Sequence, residues 1–333
     1  MIAPNDDSEV YAKFEALGVK VIAIPTFGSS IFDKILCILH MNYQVLRHRS
    51  ENSIFVCHFL VTFLMVYISL IPFNKKCVLY VEGLGSIFSH NDKLRKILKI
   101  LMSKRNLVRL FCNENERLLL GIKSDSITHG IGIDLARFKK QSRFNRETSE
   151  RRLLYVGRLI NDKGVKDAID TFRLLIKSGE NYRLTLVGDI YPSNPSSLSV
   201  DEIETLQEEF GDHIAFVGYT NDIERWYLQS DVLIIPSVRE GFPVCVMEAS
   251  AAGVPTVGYN VPGMIDAVKQ NVNGILVPFK DIEALASAVE MVFEVSNRVH
   301  FASSSKDYAE NNFCNIEKSS QLVNVLYELA SKK

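Results

Sequence analysis

The sequence predicts an α/β protein of two doubly wound parallel-sheet domains, and three observations carry that expectation. A chain of 333 residues is long for a single hydrophobic core and suits two domains. Short apolar, β-branched runs alternate with helical stretches along the whole chain, the pattern of βαβ units joined by short crossovers. One apolar run, 232–236, opens onto a loop and a helix whose residues suit an anionic ligand that also carries hydroxyl groups.

In the first half, strands are expected at 19–24, 54–58, 78–81, 107–112 and 126–128, with helices at 31–47, 60–70, 94–102 and 114–120. Residues 137–152 are poor in apolar side chains and rich in charge, Ser and Asn, which reads as an interdomain linker. In the second half, strands are expected at 153–156, 183–187, 214–217, 232–235, 256–259 and 275–277. The helix after the first of these places Val165, Ala168, Ile169, Phe172, Leu175 and Ile176 on one face. Gly157, Gly188, Gly218 and Ser237 then fall at the carboxyl ends of strands, where such sheets bind ligands. The expected domains are 1–140, incomplete at its start, and 151–315, with a last helix in 316–333 that crosses back to the first.

Composition removes several function classes. The six cysteines have neither CxxC pairs nor regular spacing and read as buried, reduced thiols of a cytosolic protein; no zinc pattern appears. Residues 54–73 lack any Asp, Glu, Lys or Arg, yet begin as a strand and continue as a helix, so a strand plus helix is expected rather than a membrane span. No complete GxGxxG follows a strand, and no GxxxxGK[ST] occurs. Charge is uneven: residues 1–140 hold 19 Lys and Arg against 12 Asp and Glu, the remainder 19 against 27. The basic side chains gather at Lys93, Arg95, Lys96, Lys99, Lys104, Arg105 and Arg109, interleaved with Leu and Ile. Either a basic amphipathic helix on an anionic membrane surface or a solvated helix face fits that pattern.

The stretch from Ser237 to Pro255 organises the rest. Pro243 is expected in the first turn of a helix and Gly253 just past its end. Glu240 lies on the loop and Glu248 more than a turn into the helix. The free amides of Phe242, Val244 and Cys245 stand between them with the positive end of the helix dipole behind. A nucleoside diphosphate sugar matches this arrangement, with diphosphate on the helix end and hydroxyls on the carboxylates. Chance spacing of two surface Glu residues, or a glycosidase pair, are the competing readings; the latter normally straddles one bond from separate strands. No Asp-x-Asp occurs to hold a metal, so positive charge is sought in the protein. The loop Gly157-Arg158-Leu159-Ile160-Asn161-Asp162-Lys163-Gly164 supplies it: Gly157 lets the backbone approach, Arg158 offers a fork and Lys163 a point charge. Asn161 or Asp162 is expected to cap the next helix.

Val156-Gly157-Arg158-Leu159, Lys163-Gly164, Leu186-Val187-Gly188-Asp189, Phe216-Val217-Gly218-Tyr219 and Glu240-Gly241-Phe242-Pro243 with Glu248-Ala249 together resemble family 4 glycosyltransferases. Those are retaining enzymes of the GT-B fold, two Rossmann-like domains facing a cleft, with Glu-x7-Glu as their signature. Residues 150–280 carry the likeness most strongly. Val81-Glu82-Gly83-Leu84-Gly85-Ser86-Ile87-Phe88 and 128–138 extend it, and are similar to members that build O-antigen or capsule units on a polyprenyl diphosphate.

The resemblance implies that Arg158 and Lys163 contact the donor diphosphate and Glu240 the donor sugar, beside Gly241, Phe242, Pro243 and Val244. It implies Glu248 on the ribose, Gly157, Gly188 and Tyr219 lining the donor pocket, and Glu82 and Gly83 on the acceptor side. It further implies front-face transfer with retention and a lipid-linked glycan acceptor. No cofactor is expected, and the lack of Asp-x-Asp argues against a metal. The reduced cysteines point to the cytoplasm, and the membrane reading of the basic helix would put the protein on the inner face of the plasma membrane. A phosphorylase or epimerase on the same fold, and a remnant that binds without turnover, are the other classes. Two departures stand out: many relatives have His where Glu82 stands, and residues 1–4 resemble the end of the second strand, so the usual opening strand, glycine loop and helix are expected to be missing.

Overall fold

The computed structural model describes residues 1–5, 8–28, 30–50, 52–70, 76–84, 88, 91–103, 107–138 and 150–331. Ser29, Gly85, Ser86, Ile87, Lys104, Arg105 and the 139–149 part of the expected linker lie outside the described residues. The chain divides into two compact units, residues 1–111 with 116–126 and 324–333, and residues 112–115 with 127–323.

In the first unit, β1 (Ile2–Pro4) and β2 (Ile22–Ile24) pair in parallel and are joined by α1 (Ser8–Ala16). The strand expected from residue 19 starts at Ile22 because Gly18 and Val19 still close α1, donating to the carbonyls of Glu15 and Phe14. Helix α2 (Ile31–His48), capped by Ser30, leads to a four-stranded sheet in sequential order: β3 (Ile54–His58), β4 (Lys76–Val81), β5 (Leu107–Phe111) and β6 (Ser126–Ile127). Helix α3 (Leu60–Leu70) joins β3 to β4, α4 (Asp92–Met102) joins β4 to β5, and α5 (Glu114–Leu120) follows β5. Among the described residues the β1–β2 pair is a sheet of its own, with no ladder to β3. The apolar stretch 54–73 is thus strand and helix through Leu70, and among the described residues no helix is long and apolar enough to cross a membrane.

Arg109 corrects one expectation. It sits on β5 rather than in the surface cationic run, and its Nε and Nη2 donate to Asp125 Oδ1 at 3.1 and 2.9 Å. Both side chains are largely buried, so the pair holds the sheet edge together and offers no free charge to solvent.

The second unit is a six-stranded parallel sheet in the order β12-β11-β10-β7-β8-β9. Its strands are β7 (Arg151–Val156), β8 (Tyr182–Val187), β9 (Ile214–Gly218), β10 (Val232–Ile235), β11 (Thr256–Tyr259) and β12 (Gly274–Val277). Between them run α6 (Val165–Lys177), α7 (Val200–Phe210), α8 (Ile223–Gln229), α9 (Val244–Ala252) and α10 (Met264–Ala267). Helices α11 (Ile282–Phe293), α12 (Val295–Asn312) and α13 (Asn315–Ser331) complete the chain.

The chain builds outward from β7 to β9, then returns to lay β10 on the other side of β7. That reversal opens a crevice at the carboxyl ends of β7 and β10, the switch point where open α/β sheets bind ligands. Every residue of β10 is buried, as an unbroken apolar run in a central parallel strand requires. On α6, Val165, Ala168, Ile169, Phe172 and Leu175 are buried on the face read from their spacing. Neither Asn161 nor Asp162 caps that helix. Residues Asn161–Lys163 wind into a 3-10 turn instead, and Gly164 takes the N-cap position without a side-chain bond.

Candidate active site

Two loops meet at the switch point. The loop after β7 is held by Tyr155, whose buried hydroxyl donates to the carbonyls of Arg158 (2.9 Å) and Lys163 (3.3 Å). The loop after β10 is stitched to it by the Val238 amide, which donates to Asp162 O at 3.0 Å. Gly164 makes this approach possible: its φ is +76°, and a Cβ there would lie 2.0 Å from Pro236 O.

The consequence is that Lys163 and Glu240, 77 residues apart in sequence, meet. Lys163 Nζ donates to Oε1 and Oε2 of Glu240, both at 2.7 Å, with side chains 26% and 10% exposed. Glu240 is fixed from behind as well. Its amide donates to Pro262 O at 3.1 Å, and its carbonyl packs where a Cβ on Gly263 would come within 2.2 Å. Arg158 lies at the rim of the same loop, exposed, its guanidinium 5.2 Å from the centre of the Tyr191 ring.

Helix α9 starts one residue later than its proline suggested: Pro243 is the N-cap, and Val246 N makes the first helical bond, to Pro243 O. The amides of Val244 and Cys245 precede that bond, so the helix leaves them without helical partners, facing the crevice end of the element. Gly253 ends the helix in the left-handed conformation, as read. Asn113 Nδ2 donates to Gly241 O at 2.5 Å, and the Phe242 ring rests edge-on against Phe313 with 5.9 Å between centroids. Gly241 and Phe242 are thereby anchored by residues far away in sequence.

Glu248 receives a hydrogen bond at Oε2 from the hydroxyl of Tyr227, at 2.9 Å. Burial raises its carboxyl above the ordinary value, while the Tyr227 hydrogen bond and the charge of Arg137 offset part of that rise. Burial also pushes the Tyr227 hydroxyl and the Cys245 thiol well up, so both are neutral at physiological pH. Cys245 is therefore an inert thiol within the site.

Of the other residues expected in the donor pocket, Gly157 and Gly188 touch at the ends of β7 and β8. Gly157 N donates to Val187 O, and Gly188 N to Gly218 O. Tyr219, at 74% exposure, points into solvent, its amide donating to Asp189 Oδ1 at 2.9 Å. Glu82 and Gly83 lie in the first unit, at the carboxyl end of β4. There, Glu82 Oε1 is 2.6 Å from Nδ1 of His58, the last residue of β3. A histidine is thus present beside Glu82 after all, supplied by the neighbouring strand.

Tyr155, Tyr227, Gly263 and His58 were not picked out as site residues from sequence. The two tyrosines are buried in the core, and their hydroxyl partners give them a second role. His58 carried a signal, since it ends a strand at the ligand-binding edge of a parallel sheet.

With this geometry in place, comparison with known proteins decides the family. The family model described as glycosyl transferases group 1 matches residues 137–311, more than half of the chain. The chain belongs to that family. Capsular polysaccharide biosynthesis glycosyltransferase CapM of Staphylococcus aureus is 27% identical over 243 residues, covering 72% of this chain and 62% of CapM. This chain therefore spans less than two thirds of that relative's length. The N,N'-diacetylbacillosaminyl-diphospho-undecaprenol alpha-1,3-N-acetylgalactosaminyltransferase of Campylobacter jejuni is 24% identical over 321 residues, covering 88% of this chain and 81% of that protein. Among solved structures, Anabaena HepE in complex with UDP and glucose superposes with a TM-score of 0.76 at 15% identity, covering 98% of this chain and 91% of HepE. The fold is the GT-B type expected of group 1 members, with two Rossmann-like parallel-sheet units.

Proposed function

We propose that this protein transfers a sugar from a nucleoside diphosphate sugar to a glycan carried on a polyprenyl diphosphate, with retention of anomeric configuration. The observation that carries this reading is the meeting of Lys163 and Glu240 beside the start of α9, at the β7–β10 switch point. A lysine and a helix end suit a diphosphate, and carboxylates on either side suit sugar and ribose hydroxyls. The names of relatives support the substrate classes: HepE was crystallised with UDP and glucose, and the Campylobacter enzyme is named for a diphospho-undecaprenol acceptor.

In the proposed reaction, the acceptor hydroxyl oxygen bonds to the anomeric carbon on the face that the diphosphate leaves. The carbon–oxygen bond to phosphate breaks, and the departing phosphate oxygen takes the hydroxyl proton. Arg158, Lys163 and the first-turn amides of α9 hold the charge that develops on the diphosphate. Each charge-assisted hydrogen bond contributes on the order of 1.5–3 kcal/mol, so two that strengthen as the bond breaks give a few powers of ten in rate. In this scheme protein cations do the work that a divalent ion does elsewhere. Glu240 orients the donor sugar and Glu248 the ribose, while Glu82 and Gly83 belong to the acceptor side. Isothermal titration with nucleoside diphosphates in the presence and absence of EDTA, then a transfer assay with lipid-linked acceptors, tests the reading. Binding that survives EDTA, with acceptor-dependent turnover, is expected; a strict metal requirement, or donor hydrolysis unaffected by acceptor, contradicts it.

A second reading, nucleotide binding without turnover, is favoured by one feature. Among the described residues the β1–β2 pair shares no ladder with the four-stranded sheet, so the acceptor unit is less continuous there than the donor unit. Tight nucleotide binding with no transfer to any lipid-linked acceptor is the result that would select it.

A further inference from the structure

Helix α2 is apolar on both sides. Its inner face, with Cys37, Met41 and Val45, is buried in the core of the first unit. Its outer face presents Ile31, Phe32, Ile35, Leu39, Tyr43 and Leu46, each exposed by between 41% (Leu46) and 76% (Ile31). At the helical period these six fall on one arc, and no charged residue interrupts it. With ~200 Å² available per large side chain, the arc leaves roughly 700 Å² in water, more than the ~300–600 Å² of the largest patch on a typical monomer. Such a face calls for an apolar neighbour.

Charge around the patch indicates which one. Asn42 in α2 donates to Met65 O in α3 at 2.8 Å, so the two helices pack together. Right-handed crossovers from β3 to β4 and from β4 to β5 put α3 and α4 on one face of the sheet. Helix α3 carries no charged side chain, and it exposes Val61 and Ile68. Helix α4 exposes Lys93, Lys96 and Lys99 around Ile97 and Ile100. Arg47 and His48 stand at the end of the α2 arc. The acids on these helices are Asp33 and Asp92, and Asp92 is already paired with Arg95. Large apolar side chains bordered by cations match a bilayer with anionic headgroups, whereas a second copy of the same cationic surface would meet like charge.

We propose that the outer surface of α2, α3 and α4 docks on an anionic lipid bilayer, with the α2 arc inserted among acyl chains and the α4 lysines at the headgroups. The inference does not depend on the donor site in the other unit, so it stands or falls separately from the proposed transfer reaction.

The full chain would be co-sedimented with vesicles of phosphatidylcholine alone or with phosphatidylglycerol, at low and high salt. Wild type should bind the phosphatidylglycerol vesicles and be partly released by salt. Ile35→Ser with Leu39→Ser should weaken binding by about tenfold or more at either salt concentration. Lys96→Glu with Lys99→Glu should remove mainly the salt-sensitive part. A single-tryptophan reporter, Phe32→Trp in a Trp226→Phe background, should shift its emission to the blue with these vesicles and be quenched by brominated acyl chains. Nucleoside diphosphate titration should be unchanged in the α2 and α4 variants, confirming an intact second unit. Wild type that stays in the supernatant, an α2 variant that binds as wild type, or a reporter with solvent-like emission would overturn the proposal. So would a lipid-free dimer that the α2 variant converts to monomer, since that would make the arc an interface between copies.

Discussion

Glu240→Gln should separate nucleotide binding from sugar transfer. In the free protein Lys163 is held 2.7 Å from both oxygens of Glu240. Two unit charges at that distance attract by about 6 kcal/mol at an effective dielectric of about 20. Desolvation and lost bonds to water offset most of it, leaving a net of about 1–2 kcal/mol. A diphosphate must recruit the same ammonium, so that remainder opposes its binding. Removing the carboxylate charge should therefore tighten nucleoside diphosphate binding by about 5- to 30-fold. The same change weakens the hold on the donor sugar, so transfer should fall by more than about tenfold. Lys163→Met should act in the opposite sense on binding, weakening it by about 10- to 150-fold through loss of one charge-assisted bond. Calorimetric titration of both variants, beside transfer rates, reads all three effects. Nucleotide binding weakened equally by both substitutions would refute the competition between Glu240 and the diphosphate, and wild-type values in both would remove the pair from the site.

Glu248, its carboxyl raised by burial, should make nucleotide affinity climb as pH rises through that raised value, because the ionised form is the better acceptor for ribose hydroxyls. The Glu248→Gln variant should lack this component once the phosphate's own titration is subtracted, and an unchanged profile would count against the assignment. The sign for stability is the reverse: a carboxyl raised in the folded state contributes fully below its unfolded value and loses that contribution as pH climbs through the folded one. Tyr227→Phe deletes the hydrogen bond that favours the ionised form, so the Glu248 component should move to higher pH, whereas a purely structural role would lower stability without moving it. Gly164→Ala forces a Cβ into Pro236 O at a positive φ and should destabilise the second unit by more than about 1 kcal/mol in a denaturant titration; a neutral result would mean the two loops can separate freely. Arg109→Met leaves Asp125 buried without its partner and should cost about 3–5 kcal/mol, read by thermal melting of the first unit, with a loss below 1 kcal/mol arguing that the pair is solvated.

Much of the second unit could be read ahead of the structure because its strands are short, mostly apolar and flanked by Gly or Pro. The limits at 232–235 and 256–259 match the observed strands residue for residue. The same holds for β3 and α3, where a β-branched run changes abruptly to helical period. Helix α1 escaped notice because its apolar residues Val10 and Phe14 are half exposed and form no clear stripe. The two-sheet division of the first unit was not legible either, since a ladder depends on which edges meet and residue pattern reports only burial. At the site, motif spacing placed Lys163 and Glu240 on loops at strand ends, but only the return of β10 to the side of β7 brings them within 2.7 Å. Pro243 precedes the first residue of α9 instead of occupying it, because it adopts the extended geometry of an N-cap at ψ 115°.

A structure of the protein bound to a nucleoside diphosphate would probe the reaction centre at its origin. The diphosphate should rest on Lys163 and Arg158 and on the Val244 and Cys245 amides, Lys163 should have left Glu240 to meet it, and the ribose should hydrogen-bond to Glu248. A nucleotide seated elsewhere, or one bound while the Lys163–Glu240 pair stays closed, would contradict the account.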